Sequence, residues 1–305
     1  QNKETGDYRW YQDGKLIEER RSIAAADGTK ISTIRYPYQD IESVSRLPSP
    51  QEYNQALLKT EYQGETLAKV KDQAMQMPDT LKDKSIDPVA RKALQDTVVE
   101  NRWNDLLRGN DATAKQLEFG PPQQEKKARI LMGLTGSGKT SSGMADLKGK
   151  GYMVLESDEL KPMLPEYKGG IGATALRNES NMLNDKLLDR AVEGGYNFVL
   201  PGVGTNAQWM KETIKKLSDA GWSVDLVFVD IPPAESMSRV VSRFQKEGRF
   251  VDPGFLVTHG NVPAENYRQV VNDTFTNGTG LTGYRHVWNY GEKPIVLEEG
   301  RIERK

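Results

Sequence analysis

The sequence has no cysteine and only two histidines, His259 and His286, in 305 residues. The first absence removes disulfides, thiolate nucleophiles, iron–sulfur clusters and cysteine-ligated zinc. The second argues against a histidine-rich metal centre, and both histidines read as structural or surface residues. An excess of either charge is also lacking, since 42 Lys and Arg face 43 Asp and Glu. Without a basic excess, attachment to nucleic acid by phosphate neutralisation is not expected. No apolar run reaches the ~20 residues of a membrane span. The uncharged stretch through Asn197–Met210 is broken by proline and glycine. Gln1 stands where an initiating Met would, so the chain is expected to begin inside a longer protein, with any targeting segment outside it. The length suits one large domain with a smaller region, or two modest domains.

What is present changes character along the chain. Residues 8–38 read as a short β-meander. Asp13-Gly14 is a two-residue hairpin signal between alternating segments, and Asp27-Gly28 precedes a second one. From Pro50 the spacing turns helical, with Ser49 as N-cap, Glu52 in the first turn, and a helix expected to run to Met77, weakened at Gly64. A second helix is expected from Asp87-Pro88 to Arg108, with Val98, Val99, Trp103, Leu106 and Leu107 near one face. Residues 109–127 read as linker. That sets 1–108 apart as a β-meander and helical region and 128–305 as the main domain.

After 127, short apolar strands alternate with helices: Ala128–Leu134, a Gly-rich turn and a helix to Leu147, then Tyr152–Leu155, Thr174–Glu193, Phe198–Leu200, Ala207–Ala220, Val224–Val229 and Ala234–Glu247. This alternation predicts an α/β fold with a mostly parallel sheet covered by helices.

The turn after the first of these strands reads Gly133-Leu134-Thr135-Gly136-Ser137-Gly138-Lys139-Thr140, a G-x-x-x-x-G-K-T phosphate loop. Its glycines let backbone N–H groups converge on phosphate, and the helix expected after it adds its positive end. Lys139 brings a mobile charge to the β- and γ-phosphates, and Thr140 brings a hydroxyl to Mg²⁺. Thr135 and Ser137 belong to the same cradle. A nucleoside triphosphate, ATP or GTP, is the ligand this predicts.

The second strand runs into Glu156-Ser157-Asp158. Ligands in α/β sheets bind outside the carboxyl ends of strands, which puts both acids near the phosphate loop. A kinase needs a carboxylate there to receive a hydroxyl or complete the Mg²⁺ shell. Asp158 is the candidate for that role, with Glu156 as a weaker companion. Its ordinary alternative is to cap the helix expected over Glu159–Leu164. Asp230 ends an apolar strand and competes as a second acid. Further on, Arg239, Arg243 and Arg249 lie on and after one helix, and 239 and 243 share a face. Arginines on a mobile segment neutralise a phosphoryl group in transfer.

With these pieces in order, residues 128–275 resemble the zeta-toxin-like kinases. The matching segments are G-L-T-G-S-G-K-T (133–140), V-L-E-S-D-E-L-K (154–161), and S-R-V-V-S-R-F with G-R-F-V-D-P (238–253). The resemblance implies a P-loop kinase fold, ATP and Mg²⁺ as cofactors, and a hydroxyl acceptor on a nucleotide-type metabolite, a nucleotide sugar or NAD. It also implies a toxin or effector role, a protein neutraliser as partner, and a place in the bacterial cytoplasm or in a host cell after delivery. By the same resemblance Lys139 and Thr140 match the phosphate and magnesium residues, Asp158 the base, and Arg243 and Arg249 the lid arginines. Where the family has a Glu-Gly-Thr type segment after the third strand, this chain has Pro201 and Val203. Thr205 and Asn206 keep a polar loop there, and with Arg239 and Glu156 they are candidate substrate contacts. A second reading makes the phosphate loop a nucleotide-gated switch and residues 1–108 a surface for a protein partner. No N-K-x-D base-recognition motif supports it.

Overall fold

The computed structural model describes residues 8–12, 15–24, 30–35, 55, 58–59, 61–62, 65–108, 118–278 and 280–303. The turn residues Asp13-Gly14 and Asp27-Gly28, the proposed helix start at Ser49-Pro50-Glu52, and residues 109–117 of the linker lie outside them.

One nine-stranded sheet organises the molecule. Its strands are β1 (Tyr8–Gln12), β2 (Lys15–Ala24), β3 (Lys30–Arg35), β6 (Lys127–Met132), β7 (Met153–Val154), β8 (Phe198–Gly202), β9 (Ser223–Asp230), β10 (Gly283–Trp288) and β11 (Ile295–Glu303). Their order is β1-β2-β3-β11-β10-β9-β6-β8-β7. From β10 to β7 every pairing is parallel; from β10 to β1 every pairing is antiparallel. The N-terminal meander therefore extends the same sheet, through β3 on β11. The parallel half is the α/β fold that the strand–helix alternation predicts.

The parallel strands are apolar on both sides because helices cover both. Successive residues of β6 alternate between two clusters, with Ala128, Ile130 and Met132 in one and Leu131 in the other; β9 divides the same way, Leu226 and Phe228 against Val227 and Val229. That is the period of two that a strand imposes.

The α-helices delimited among the described residues are α1 (Leu67–Gln76), α2 (Pro88–Arg108), α3 (Arg177–Glu193), α4 (Ala207–Asp219), α5 (Pro233–Glu247), α6 (Pro253–His259) and α7 (Val262–Asn277). Three expectations need correction. The helix expected to run on to Met77 is interrupted: Gln55 is helical, but the helix that ends at Gln76 starts only at Leu67. A small hairpin, β4 (Glu61–Tyr62) on β5 (Glu65–Thr66), occupies part of the expected helix, and the Thr66 side chain caps the real start by accepting from Lys69 N–H at 3.3 Å. The helix after the phosphate loop is not regular to Leu147. Only a π-helical turn, Lys139–Gly143, and a 3₁₀ turn, Ala145–Leu147, form. The residues there are Thr140, Ser141, Ser142 and Gly143, poor helix formers, and Ser141 Oγ spends itself on the Gly138 carbonyl at 3.1 Å. Last, the segment after β7 forms two short 3₁₀ turns, Ser157–Glu159 and Lys161–Met163, in place of one helix, and Asp158 caps neither.

The helices from the N-terminal region are built into the body. Val98, Val99 and Leu106 of α2 share the main core with Leu183 and Leu187 of α3. Leu67, Val70 and Ala74 of α1 pack with Met237, Val240 and Phe244 of α5 and with Phe250. Burying a side chain such as Leu67 or Val70 contributes roughly 1.5–3 kcal/mol. An ionic knot adds specificity. Glu179 of α3, fully buried, accepts from Arg91 Nε (2.7 Å), Gln95 Nε2 (2.7 Å) and Thr80 Oγ1 (2.6 Å), while Arg91 also reaches Glu166 at 2.9 Å. Burial pushes the Glu179 carboxyl up, and its donors more than reverse this, so it stays ionised.

Candidate active site

The phosphate loop leaves β6 at Gly133. Gly136 and Gly138 sit at φ +82° and +85°, a region that side chains with a Cβ rarely enter. At Gly133 a Cβ would lie 2.3 Å from the Val229 carbonyl oxygen, so the loop can pass β9 only as glycine. Its N–H also donates to Val203 O at 3.3 Å, which ties this loop to the one after β8.

Lys139 folds back over the loop, donating from Nζ to Gly133 O at 2.8 Å and Leu134 O at 3.0 Å. Burial lowers its pKa from 10.5 to about 8; Glu156 and Asp158 pull the other way, and Arg249 and Arg243 reinforce the fall. Thr140 is exposed on the π-helical turn.

Asp158 lies in the turn after β7. Its carboxylate pairs with Lys161 Nζ at 2.8 Å and with the Arg249 guanidinium. Burial raises its pKa, but these two cations outweigh burial and hold it well below the ordinary carboxylate range. Asp158 is thus a fixed anion with its oxygens aimed by two cations.

The three arginines part company. Arg249 is largely buried against Asp158. Arg243 is 44% exposed and pairs with Glu247 at 2.9 Å, one turn along its own helix. Arg239 turns toward the phosphate loop, with Nη1 3.3 Å from Gly136 O, while its Nε is held by Glu235 at 2.8 Å.

A cavity of about 1080 Å³ receives all of these groups. Thr135, Gly136, Gly138, Lys139 and Thr140 of the phosphate loop are on its wall, as are Glu156, Asp158, Arg239, Arg243 and Arg249, while Ser137 is buried beneath it. Thr205 and Asn206 reach it from the loop after β8. Asn206 has a second task there: its Oδ1 accepts from Trp209 N–H at 2.9 Å and caps α4. Asp230 is not on this wall. It accepts from Ile231 N–H at 2.8 Å and lies 2.9 Å from His286 Nε2, at the end of β9. His286 stacks on Phe228, and His259 on Phe255.

Sequence reading missed one wall. Arg177, Asn181, Asn184 and Asp185 of α3 line the cavity at helical spacing. Asn184 is buried; its Nδ2 donates to Leu155 O at 3.2 Å, and its Oδ1 has no hydrogen-bond partner. Burial and the nearby Asp189 raise the Asp185 pKa. The available signal was the polar stripe opposite Leu176, Leu183 and Leu187, which reads equally as a solvated helix face. Trp209 is half-exposed at the same cavity.

Comparison with known proteins follows the same outline. Toxin zeta of Streptococcus pyogenes is 24% identical over 162 residues, which cover 49% of this chain and 53% of that protein. The chain therefore spans about half the length of this curated relative. Among solved structures, the native AvrRxo1-ORF1:-ORF2 complex aligns with a TM-score of 0.51 at 17% identity, over 69% of this chain and 67% of that one. The PezAT chromosomal toxin-antitoxin system of Streptococcus pneumoniae aligns with a TM-score of 0.50 at 15% identity, over 66% and 80%. At such identities the likeness is one of fold. The family model described as Zeta toxin matches residues 110–277, more than half of the sequence and all of the phosphate-loop, Asp158 and arginine segments, and the chain belongs to the Zeta toxin family.

Proposed function

We propose that this protein is an ATP- and Mg²⁺-dependent kinase. It transfers the γ-phosphoryl group to a hydroxyl of a soluble nucleotide-type metabolite, a nucleotide sugar or NAD, and acts as a toxin or delivered effector. One juxtaposition carries the reading: the phosphate loop and Asp158 face a single cavity of about 1080 Å³. Pockets for one drug-sized ligand run to roughly 300–1,000 Å³, so this one has room for a nucleotide beside an acceptor.

Each residue has a task in that scheme. Lys139 leaves its loop carbonyls for the β- and γ-phosphates. Arg243 and Arg249 offset the charge that spreads over the phosphoryl oxygens. Asp158 aligns the acceptor hydroxyl and takes its proton late, as suits a transition state in which the nucleophile is little deprotonated. The low basicity enforced by Lys161 and Arg249 is compatible with that order. Thr140 and Asp158 offer hard oxygen donors. With phosphates and water they suffice for Mg²⁺, which seldom takes an all-protein cage. When bound, the ion neutralises charge on the transferring group.

We assign this chemistry to residues 128–305 and take 1–108 as its support, with 109–127 between them. The Arg91–Glu179 knot favours support over an independent partner-binding surface. Likeness of fold to a toxin-antitoxin system favours a protein neutraliser as partner. Among the described residues, no helix is long and apolar enough to cross a membrane.

The test is mass spectrometry of a metabolite extract incubated with the protein and Mg-ATP. A phosphorylated product should appear, and Asp158→Asn should reduce its rate by about 10²–10⁴-fold while still binding ATP. No product with the wild-type protein, or full activity in Asp158→Asn, would sink the reading.

A further inference from the structure

A backbone loop binds anions when its N–H groups turn inward, which turns its carbonyl oxygens outward. Outward carbonyls packed under neighbouring elements need donors of their own. Here five consecutive carbonyls, from Gly133 to Ser137, each accept from a side chain. Lys139 serves the first two. Ser236 Oγ donates to Thr135 O at 2.6 Å, Arg239 Nη1 to Gly136 O at 3.3 Å, and Asn289 Nδ2 to Ser137 O at 2.6 Å.

The last three donors come from outside the loop. Ser236 and Arg239 stand one turn apart at the start of α5, and Asn289 follows β10 directly. Two of them are also joined to one another. Arg239 Nη2 donates to Asn289 O at 3.2 Å, and Asn289 N–H donates to Asp230 O at 2.9 Å. Ser236 is fully buried. A Cβ at Gly138 would lie 2.1 Å from Asn289 Nδ2, so the amide covers two successive loop residues.

We infer that Ser236, Arg239 and Asn289 are positioning residues that hold the phosphate loop open for a polyphosphate chain, and that Arg239 serves the loop instead of the acceptor. Lys139 departs when phosphate arrives; the other three remain and keep the amides directed inward. The inference rests on the kinase reading for its ligand, a nucleoside triphosphate. It concerns binding, not transfer.

The experiment is titration calorimetry of the full chain with Mg-ATP and, separately, with inorganic tripolyphosphate. Asn289→Ala removes one donor and should weaken both ligands about tenfold. Asn289→Asp, nearly isosteric, sets an anion against the Ser137 carbonyl and should weaken both further. Ser236→Ala should resemble Asn289→Ala, and Ser236→Thr, which keeps the hydroxyl, should recover part of the loss. A merely structural role would lower the melting temperature and leave both affinities unchanged. Loss of ATP binding without loss of tripolyphosphate binding would make Asn289 a base contact and overturn the inference, as would wild-type affinity in Asn289→Asp. If Asn289→Asp does not fold, the alanine and Ser236 variants decide. Should the wild-type protein bind both ligands yet phosphorylate no metabolite, the kinase reading fails and this inference stands. Binding of neither ligand ends both.

Discussion

Lys139 gives the sharpest quantitative test, because its charge is expensive before nucleotide arrives. Burial lowers its pKa from 10.5 to about 8. That fall corresponds to roughly 3 kcal/mol against the charged form. A triphosphate selects the charged form, so binding requires a protonated Lys139. The sign follows. Below pH 8 the ammonium is already present and affinity should be flat. Above pH 8 each binding event must take up a proton, and the apparent Kd should rise about tenfold per pH unit. The terminal phosphate of ATP is fully ionised in this range and contributes no slope of its own. Calorimetry with Mg-ATP from pH 7 to 9.5 reads the slope. Repeating the pH 9 titration in two buffers of different ionisation enthalpy reads the uptake, expected near one proton per nucleotide. Lys139→Arg is the control: a guanidinium stays charged, so its affinity, weaker overall, should not change across the range. A flat wild-type profile, or a Lys139→Arg profile parallel to wild type, would refute the reasoning. The same displacement makes the nucleotide-free fold gain stability as pH rises from 8 towards 10.5, since the unfolded chain then holds a proton that the folded one lacks.

Other outcomes can be stated more briefly. Arg243, exposed and ion-paired with Glu247 on its own helix, should be replaceable by Ala with stability within about 0.5 kcal/mol, yet phosphoryl transfer should fall; unchanged turnover in the extract assay would remove it from the site. Arg249→Ala should lower both melting temperature and turnover, because it strips a partner from Asp158; a melting temperature equal to wild type would contradict the pairing. Glu179→Ala leaves Arg91 buried with Glu166 as its remaining carboxylate and strips the acceptor from Gln95; it should cost about 3–5 kcal/mol in urea unfolding, and a loss under 1 kcal/mol would show that the knot is not closed in solution. A chain shortened to 118–305 uncovers the partners of Val98, Val99, Leu106, Leu67 and Val70 and should aggregate. A soluble fragment that binds ATP as the full chain does would show that α1 and α2 are dispensable.

Where the sequence was readable, local physics was decisive. The phosphate loop is contiguous, and its glycines are required by backbone angles and by the close pass at Val229, so eight residues specify it. The parallel strands announce themselves as short apolar runs because both faces are covered. The helices α3, α4 and α5 show their stripes because each buries one side. Local signals failed where another interaction took precedence. Thr66 caps a helix start at Leu67, inside the stretch that the spacing from Pro50 to Met77 advertises as one helix. The hydroxyls of 140–142 and Gly143 undo the helix after the phosphate loop. The polar stripe of α3 looks the same whether it meets water or a cavity.

What the sequence determined alone is the chemistry available: no thiol, almost no imidazole, and one loop shaped for phosphate beside carboxylate, lysine and arginine. Only the tertiary structure decided how those groups are used. It paired Asp158 with Lys161 and Arg249, tied Arg239 on the cavity wall to the Gly136 carbonyl, gave Asp230 to His286, and joined the N-terminal strands to the main sheet. These pairings link residues as far apart as Lys30 and Glu303, and distances across a folded sheet are set by strand order, which no local pattern encodes.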